Sequence, residues 1–364
     1  MQETRSNKVR VAGFRSGALA SVLAVAVSAM GFWLAQRPVA GQQPGGEGPL
    51  FRVEVDLVLL NVAVTDRRGR YIPSLKPSDF RVLEDGIEQK VATFAEGNMA
   101  PLRVSSDGAL IPDANPAPAP IPSAEALIDR PDRGEHMPPA GHESLVGTNV
   151  FILFDTSNFM YRSFVYAEDA IADFIRDLDA ADAVAVYGYS RNLTRHTRLT
   201  ADRWDALRGL RLSVAGDETA LYNSLLLTLR DAAQVPGRKV IVVFSNGPDS
   251  ASAVAPDDVR AVAEDEGIPI YVISTKEVNN DPISSNVFRR LTGRTGGRAF
   301  FARSWQKQSE AFSSIKEELG SSYTLTYYPL ANPNRGWRSI SVELVGEALQ
   351  RYRIRTRSGY RPKI

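Results

Sequence analysis

From residue 147 onward, apolar and polar positions follow two alternating patterns. Short apolar, partly β-branched runs at 149–155, 183–188, 239–244, 270–273 and 298–301 predict strands. Between them, 163–178, 219–233, 256–266, a segment around 288–291, and 304–319 predict helices. In the first of these, Phe164, Ala167, Ile171, Phe174 and Ile175 fall on one face at helical spacing. A shorter edge strand is predicted at 194–199. Continuously apolar strands alternating with amphipathic helices predict an α/β domain at 148–320. Its sheet is doubly wound, mostly parallel and Rossmann-like, with both faces covered.

The pattern on either side is different. Residues 51–65 are β-branched and partly alternating, and they end at the turn signal Asp66-Arg-Arg-Gly69. Strands follow at 80–83 and 89–94 around an Asp85-Gly86 hairpin turn. Beyond the α/β domain, strands are predicted at 323–328, 339–345 and 352–356. The β segments 49–98 and 321–364 are each too small to hold a core alone. They are predicted to pair into one small β-sandwich, with the α/β domain inserted between them. Nine of the 22 prolines fall between Pro101 and Pro139. Residues 99–147 are therefore expected to form an extended linker with neither helix nor sheet.

At the N-terminus, Arg5, Lys8, Arg10 and Arg15 face a single acid, Glu3, ahead of an uncharged apolar run at 17–35. This layout predicts a signal peptide or signal anchor over 1–43. Export to the periplasm, cell envelope or medium follows, with membrane contact only through an uncleaved anchor. The 364 residues contain no cysteine and three histidines, which removes disulfides, thiolate metal sites and most histidine chemistry. A formal net charge of +1 argues against nucleic acid as a partner. There is no phosphate-binding loop, dinucleotide fingerprint, Gly-x-Ser-x-Gly or His-Glu-x-x-His. No enzymatic activity is expected.

In doubly wound sheets, ligands bind beyond the carboxyl ends of the strands. Three loops lie there: Asp155-Thr-Ser157-Asn158-Phe159, Gly216-Asp217-Glu-Thr219-Ala-Leu-Tyr, and Ser245-Asn246-Gly247. With the apolar strand ahead of Asp155, they resemble a von Willebrand factor A (VWA) domain over about 148–320. The blocks at 55–69, 79–86 and 358–360 resemble the exported bacterial VWFA-related family, best represented in acidobacteria. The resemblance implies a metal-ion-dependent adhesion site, in which a divalent cation, usually Mg²⁺, is held by Asp-x-Ser-x-Ser, a threonine and an aspartate. Carried over by position, Asp155, Ser157 and Thr219 are present. Phe159 replaces the second serine, and Asn246 stands where the late aspartate is expected. The metal set is therefore a degenerate Asp155, Ser157, Thr219 and Asn246. Asp155, Asn158, Phe159, Asp217 and Asp249 are expected to meet a partner, and Asp217 and Asp249 could supply the missing charge. A purely structural role is the competing expectation: Asp155 and Ser157 would cap the following turn, and Thr219 its helix.

The expected function is a protein-binding, adhesion or scaffolding module for a partner of the cell envelope. A structural scaffold with a vestigial metal site is the first rival. A metal-assisted hydrolase using Asp155 and Asp249 is a remote one. Separately, Arg351, Arg353, Arg355 and Arg357 alternate along one strand and share a face. They form either a patch for an acidic partner or the solvated face of a half-buried strand.

Overall fold

The computed structural model describes residues 57–112 and 147–363, all within one unit, Glu54–Ile364. The expected signal segment, residues 51–56 of the first predicted strand, and residues 113–146 of the expected linker lie outside the described residues.

The N-terminal part contains β1 (Val58–Thr65), β2 (Phe80–Glu84), β3 (Ile87–Gln89), β4 (Val91–Glu96), β5 (Leu102–Val104) and β6 (Leu110–Pro112). The α/β part runs β7 (Asn149–Asp155), α1 (Phe164–Asp177), β8 (Ala183–Tyr189), β9 (Leu193–Thr200), α2 (Arg203–Leu210) and α3 (Leu221–Ala233). It continues with β10 (Lys239–Ser245), α4 (Pro256–Asp265), β11 (Ile270–Ser274), α5 (Pro282–Thr295), β12 (Ala299–Phe301) and α6 (Trp305–Ser321). The chain ends in β13 (Tyr323–Tyr327), β14 (Arg338–Leu344), β15 (Arg353–Arg355) and β16 (Gly359–Tyr360).

The central sheet has the order β12-β11-β10-β7-β8-β9, parallel except for the antiparallel edge strand β9. Every residue of β7 is buried, because helices cover both faces. On one face Phe154, Phe174, Phe244 and Phe312 pack ring against ring under α1 and α6. On the other, Leu153, Val243, Leu225 and Phe288 join the sheet to α3 and α5. Each such side chain contributes on the order of 1.5–3 kcal/mol by leaving water.

The flanking segments interleave into two antiparallel sheets, β15-β1-β13-β4-β5-β6 and β16-β14-β2-β3. Leu60 lies opposite Leu325, and Val82 opposite Val342. The two sheets share one core, with Phe80, Phe94 and Tyr323 in mutual ring contact. The expected hairpin turn is present, with Asp85 at φ 49 and Gly86 at φ 79. A buried guanidinium joins this sandwich to the α/β sheet. Arg238, just before β10, donates to the carbonyls of Leu319 (2.8 Å) and Gly97 (3.0 Å) and to Asn61 Oδ1 (3.1 Å).

Three expectations need correction. The proline-bearing stretch after 99 contains two short paired strands, β5 and β6, where neither helix nor sheet was expected. Helix α2 was not predicted. The four C-terminal arginines also do not share one solvated face. Arg355 turns inward to Glu318 at 2.6 Å, and Arg357 is buried and donates to the Glu264 carbonyl at 2.7 Å.

Candidate functional site

The chain leaves β7 for β8 on one side, and β10 returns on the other, so the order of strands reverses between β7 and β10. Such a switch point opens a crevice at the strand ends. Asp155, the last residue of β7, stands there in register with Tyr189 of β8 and close to Ser245 of β10. Its side chain is buried. Oδ1 accepts from the Ser157 N–H (2.9 Å), and Oδ2 accepts from Ser245 Oγ (3.1 Å) and the Asn246 N–H (3.3 Å). Burial pushes the Asp155 carboxyl above its ordinary value, against the pull of these hydrogen bonds. The Tyr189 phenol lies beside Asp155, Ser245 and Thr219, and burial raises it well above the usual tyrosine range.

Around this carboxylate several buried oxygens lack a hydrogen bond of good geometry, the Tyr189 hydroxyl among them, although the Ser157 hydroxyl still bears on Asp155 and the Thr219 hydroxyl on Tyr189. Ser157 Oγ, Thr219 Oγ1 and Asn246 Oδ1 are buried and have no partner of hydrogen-bonding geometry among the described residues. Leaving a buried polar atom unpaired costs roughly 1–3 kcal/mol, so native chains seldom gather three of them. The orientation of Asn246 is explained locally. Its side-chain amide donates to the Phe159 carbonyl, which fixes the nitrogen on that side and leaves Oδ1 without a donor. Gly247, at φ +116, lets the backbone turn sharply directly after it.

The competing capping roles are not what the geometry shows for two of the three residues. Ser157 precedes a 3₁₀ turn, Asn158–Ser163, without a side-chain cap bond. Helix α3 has Ala220 at its N-cap position, and Thr219 caps nothing. Asp249 does that work from the neighbouring loop. Its Oδ2 accepts from the Tyr222 N–H (3.1 Å) and Ser252 Oγ (2.7 Å), and its Oδ1 from the Ser252 N–H (2.9 Å). Its carboxylate is thereby committed to the start of α3, which explains why it does not supply the missing charge at Asp155. Asp217 is exposed, and its carboxylate is unpaired among the described residues. Asn158, Phe159, Asp217 and Asn246 line an open cleft of about 950 Å³ together with Tyr161 and Arg303. Tyr189 was missed as a site residue, and Ser245 was placed in the third loop without a role. Their signal was positional, since each ends a strand adjacent to β7.

Residues 150–248 match the family model of the von Willebrand factor type A domain. The match runs from β7 to just past β10 and takes in Asp155, Ser157, Thr219 and Asn246. The chain carries a VWA domain. Among solved structures, BatB from Bacteroides thetaiotaomicron is 18% identical, with a TM-score of 0.41, covering 48% of this chain and 100% of that one. An aerotolerance-related membrane protein from Bacteroides fragilis is 16% identical, with a TM-score of 0.40 and coverage of 48% and 98%. The vWF domain of the type V pili tip protein Mfa5 from Porphyromonas gingivalis is 10% identical, with a TM-score of 0.42 and coverage of 48% and 95%. No curated protein matches the chain.

The donors in this VWA domain suit a hard cation in kind: one carboxylate and neutral hydroxyl and amide oxygens, with no nitrogen or sulfur. Phe159 adds no side-chain oxygen. Among the described residues no group of three or more His, Cys, Asp or Glu side chains could hold a metal ion; Asp155 is the buried carboxylate of this oxygen set, and Asp217 lines the cleft beside it. Among the described residues no helix is long and apolar enough to cross a membrane.

Proposed function

We propose that this VWA domain is a non-enzymatic binding module of an exported protein, which takes a protein partner of the cell envelope at the crevice above Asp155. The observation that carries the reading is the set of buried, unpartnered oxygens of Ser157, Thr219 and Asn246 around one carboxylate. Such a set is costly in an empty scaffold and useful in a receptor. Mg²⁺ is the ion that the donor set would take, held by Asp155, Ser157, Thr219 and Asn246. Bound there, it would offer an open position to an anionic group of the partner. The lip of the crevice supplies the rest of the contact. Phe159 and Tyr161 are exposed aromatic residues beside the cleft, the type that anchors interface hot spots. Asp217 and Asn158 provide polar contacts at the rim.

The sandwich leaves this face open. Arg238 ties it to the end of β10 opposite Ser245, so the crevice points away from the flanking strands. Co-purification from envelope extract with the full chain and its Asp155→Ala variant tests the reading. A partner retained by the wild type and lost from the variant supports it. Identical partners on both would mean that the crevice is vestigial.

A further inference from the structure

The inward turn of Arg355 and Arg357 leaves Arg351 and Arg353 exposed near the end of β1. Strand β15 pairs with β1 so that Arg353 lies opposite Thr65, the residue before Asp66. The turn that follows carries Arg67, Arg68 and Arg70. The result is a cleft of about 540 Å³ at one end of the sandwich, walled by that turn on one side and by Arg351 and Tyr352 on the other. Asp66 is the acid in these walls, and it is already engaged, with Arg70 Nε at 2.8 Å. Its other oxygen accepts from the N–H groups of Arg68 (2.8 Å) and Arg70 (2.9 Å), which holds the turn in shape. Gly69, at φ +84, completes that turn. The guanidinium of Arg351 rests over the Tyr352 ring at 5.1 Å. The side chains of Arg67, Arg68 and Arg353 have no partner among the described residues. Positive charge gathered in a concave site focuses an attractive field on anions.

We infer that this cleft binds an acidic polysaccharide through guanidinium contacts to its carboxylate or sulfate groups. Guanidinium presents paired donors matched to planar or tetrahedral oxyanions. The cations are spread from the turn across to Arg351 and on to Arg353, which suits a repeating anion better than a single small one. A bilayer surface fits less well, because none of the large exposed apolar side chains lines the cleft to insert among lipids. Nucleic acid fits less well because Tyr352 is the one aromatic side chain in these walls and Arg351 already covers its ring, which leaves no free face to stack a base. The site is separate from the crevice at Asp155 and independent of the function proposed there.

The test is titration calorimetry of the full chain with heparin and with polygalacturonate at low ionic strength, alongside anionic phospholipid vesicles and duplex DNA. The variants are Arg67→Ser/Arg68→Ser, Arg351→Ala, and Arg176→Ala as an exposed control on α1. Binding of at least one polysaccharide is expected, weakened about tenfold or more by the double variant and measurably by Arg351→Ala, and unchanged in Arg176→Ala. All four substituted positions are exposed, so thermal melts of the variants should overlay; if the double variant unfolds, Arg351→Ala decides. Failure to bind either polysaccharide would overturn the inference, as would equal binding by the cleft variants or equally tight binding to vesicles or DNA. Asp155→Ala should bind the polysaccharide as the wild type does.

Discussion

The side-chain amide of Asn246 donates to the main-chain carbonyl of Phe159, and this one contact shapes the crevice. It ties the loop after β10 to the loop after β7 and leaves Asn246 Oδ1 buried without a donor. An aspartate at 246 would set a carboxylate oxygen against the Phe159 carbonyl. Asn246→Asp should therefore lower stability by about 1–2 kcal/mol when cations are chelated. Mg²⁺ should restore more stability to the variant than it adds to the wild type, and adding Phe159→Ser should widen that gap. Thermal melts in chelator and in Mg²⁺ measure both effects.

The two acids beside the site should separate cleanly. Asp249 caps α3 through the Tyr222 N–H, so Asp249→Ala should cost about 1 kcal/mol of stability. Asp217 is exposed and unpaired among the described residues, so Asp217→Ala should leave the melt unchanged while weakening partner retention. Denaturant titration together with co-purification checks the pair.

Asp85 gives a pH signature in the sandwich. Slight burial pushes its carboxyl up, but hydrogen bonds from Asn334, Ser339 and Asn332 outweigh that and hold it down at about 2. A lowered folded value means that this stabilisation is full above 3.8 and is lost as pH falls toward about 2. Asp85→Asn should keep the turn, because asparagine tolerates the positive φ of 49 found here. The variant should be less stable than the wild type at neutral pH, with the difference closing between pH 4 and about 2. Unfolding curves across that range follow it.

Arg238 is expected to couple the two parts of the fold. It is buried and donates to the Gly97 carbonyl and Asn61 Oδ1 on the sandwich side and to the Leu319 carbonyl of α6 in the α/β part. Arg238→Ala should cost about 3 kcal/mol or more, since it leaves those acceptors buried without a donor. Limited proteolysis should then cut between α6 and β13 sooner than in the wild type.

Much of this was legible along the chain because buried parallel strands leave a plain signal. The runs ending at Asp155 and Phe244 are apolar throughout, since helices cover both faces, and that located the crevice and its first ligand candidates. Helix α2 was not legible from periodicity. Trp204 is 81% exposed, and Gly209 packs so closely on Thr197 that a Cβ would lie 1.7 Å from its Oγ1. Its one clear signal was Asp202, which accepts from the Trp204 N–H at the N-cap. Strands β5 and β6 were hidden by Pro101 and Pro112, although proline is tolerated at strand ends and sheet edges. The inward turn of Arg355 and Arg357 depends on Glu318 and the Glu264 carbonyl, acceptors in another part of the chain that strand alternation cannot reveal. Thr219 looked like a helix cap by position, yet Asp249 performs that role across a loop.

We propose the unpartnered oxygens around Asp155 as a receiving site for a cation and, through it, a partner. The most direct measurement is calorimetric titration of the full chain with Mn²⁺ and Mg²⁺, repeated on Thr219→Ala and Asp155→Asn. One ion per chain is predicted, with a rise in melting temperature that both variants lose. No heat and no thermal shift in the wild type at millimolar metal would contradict the claim.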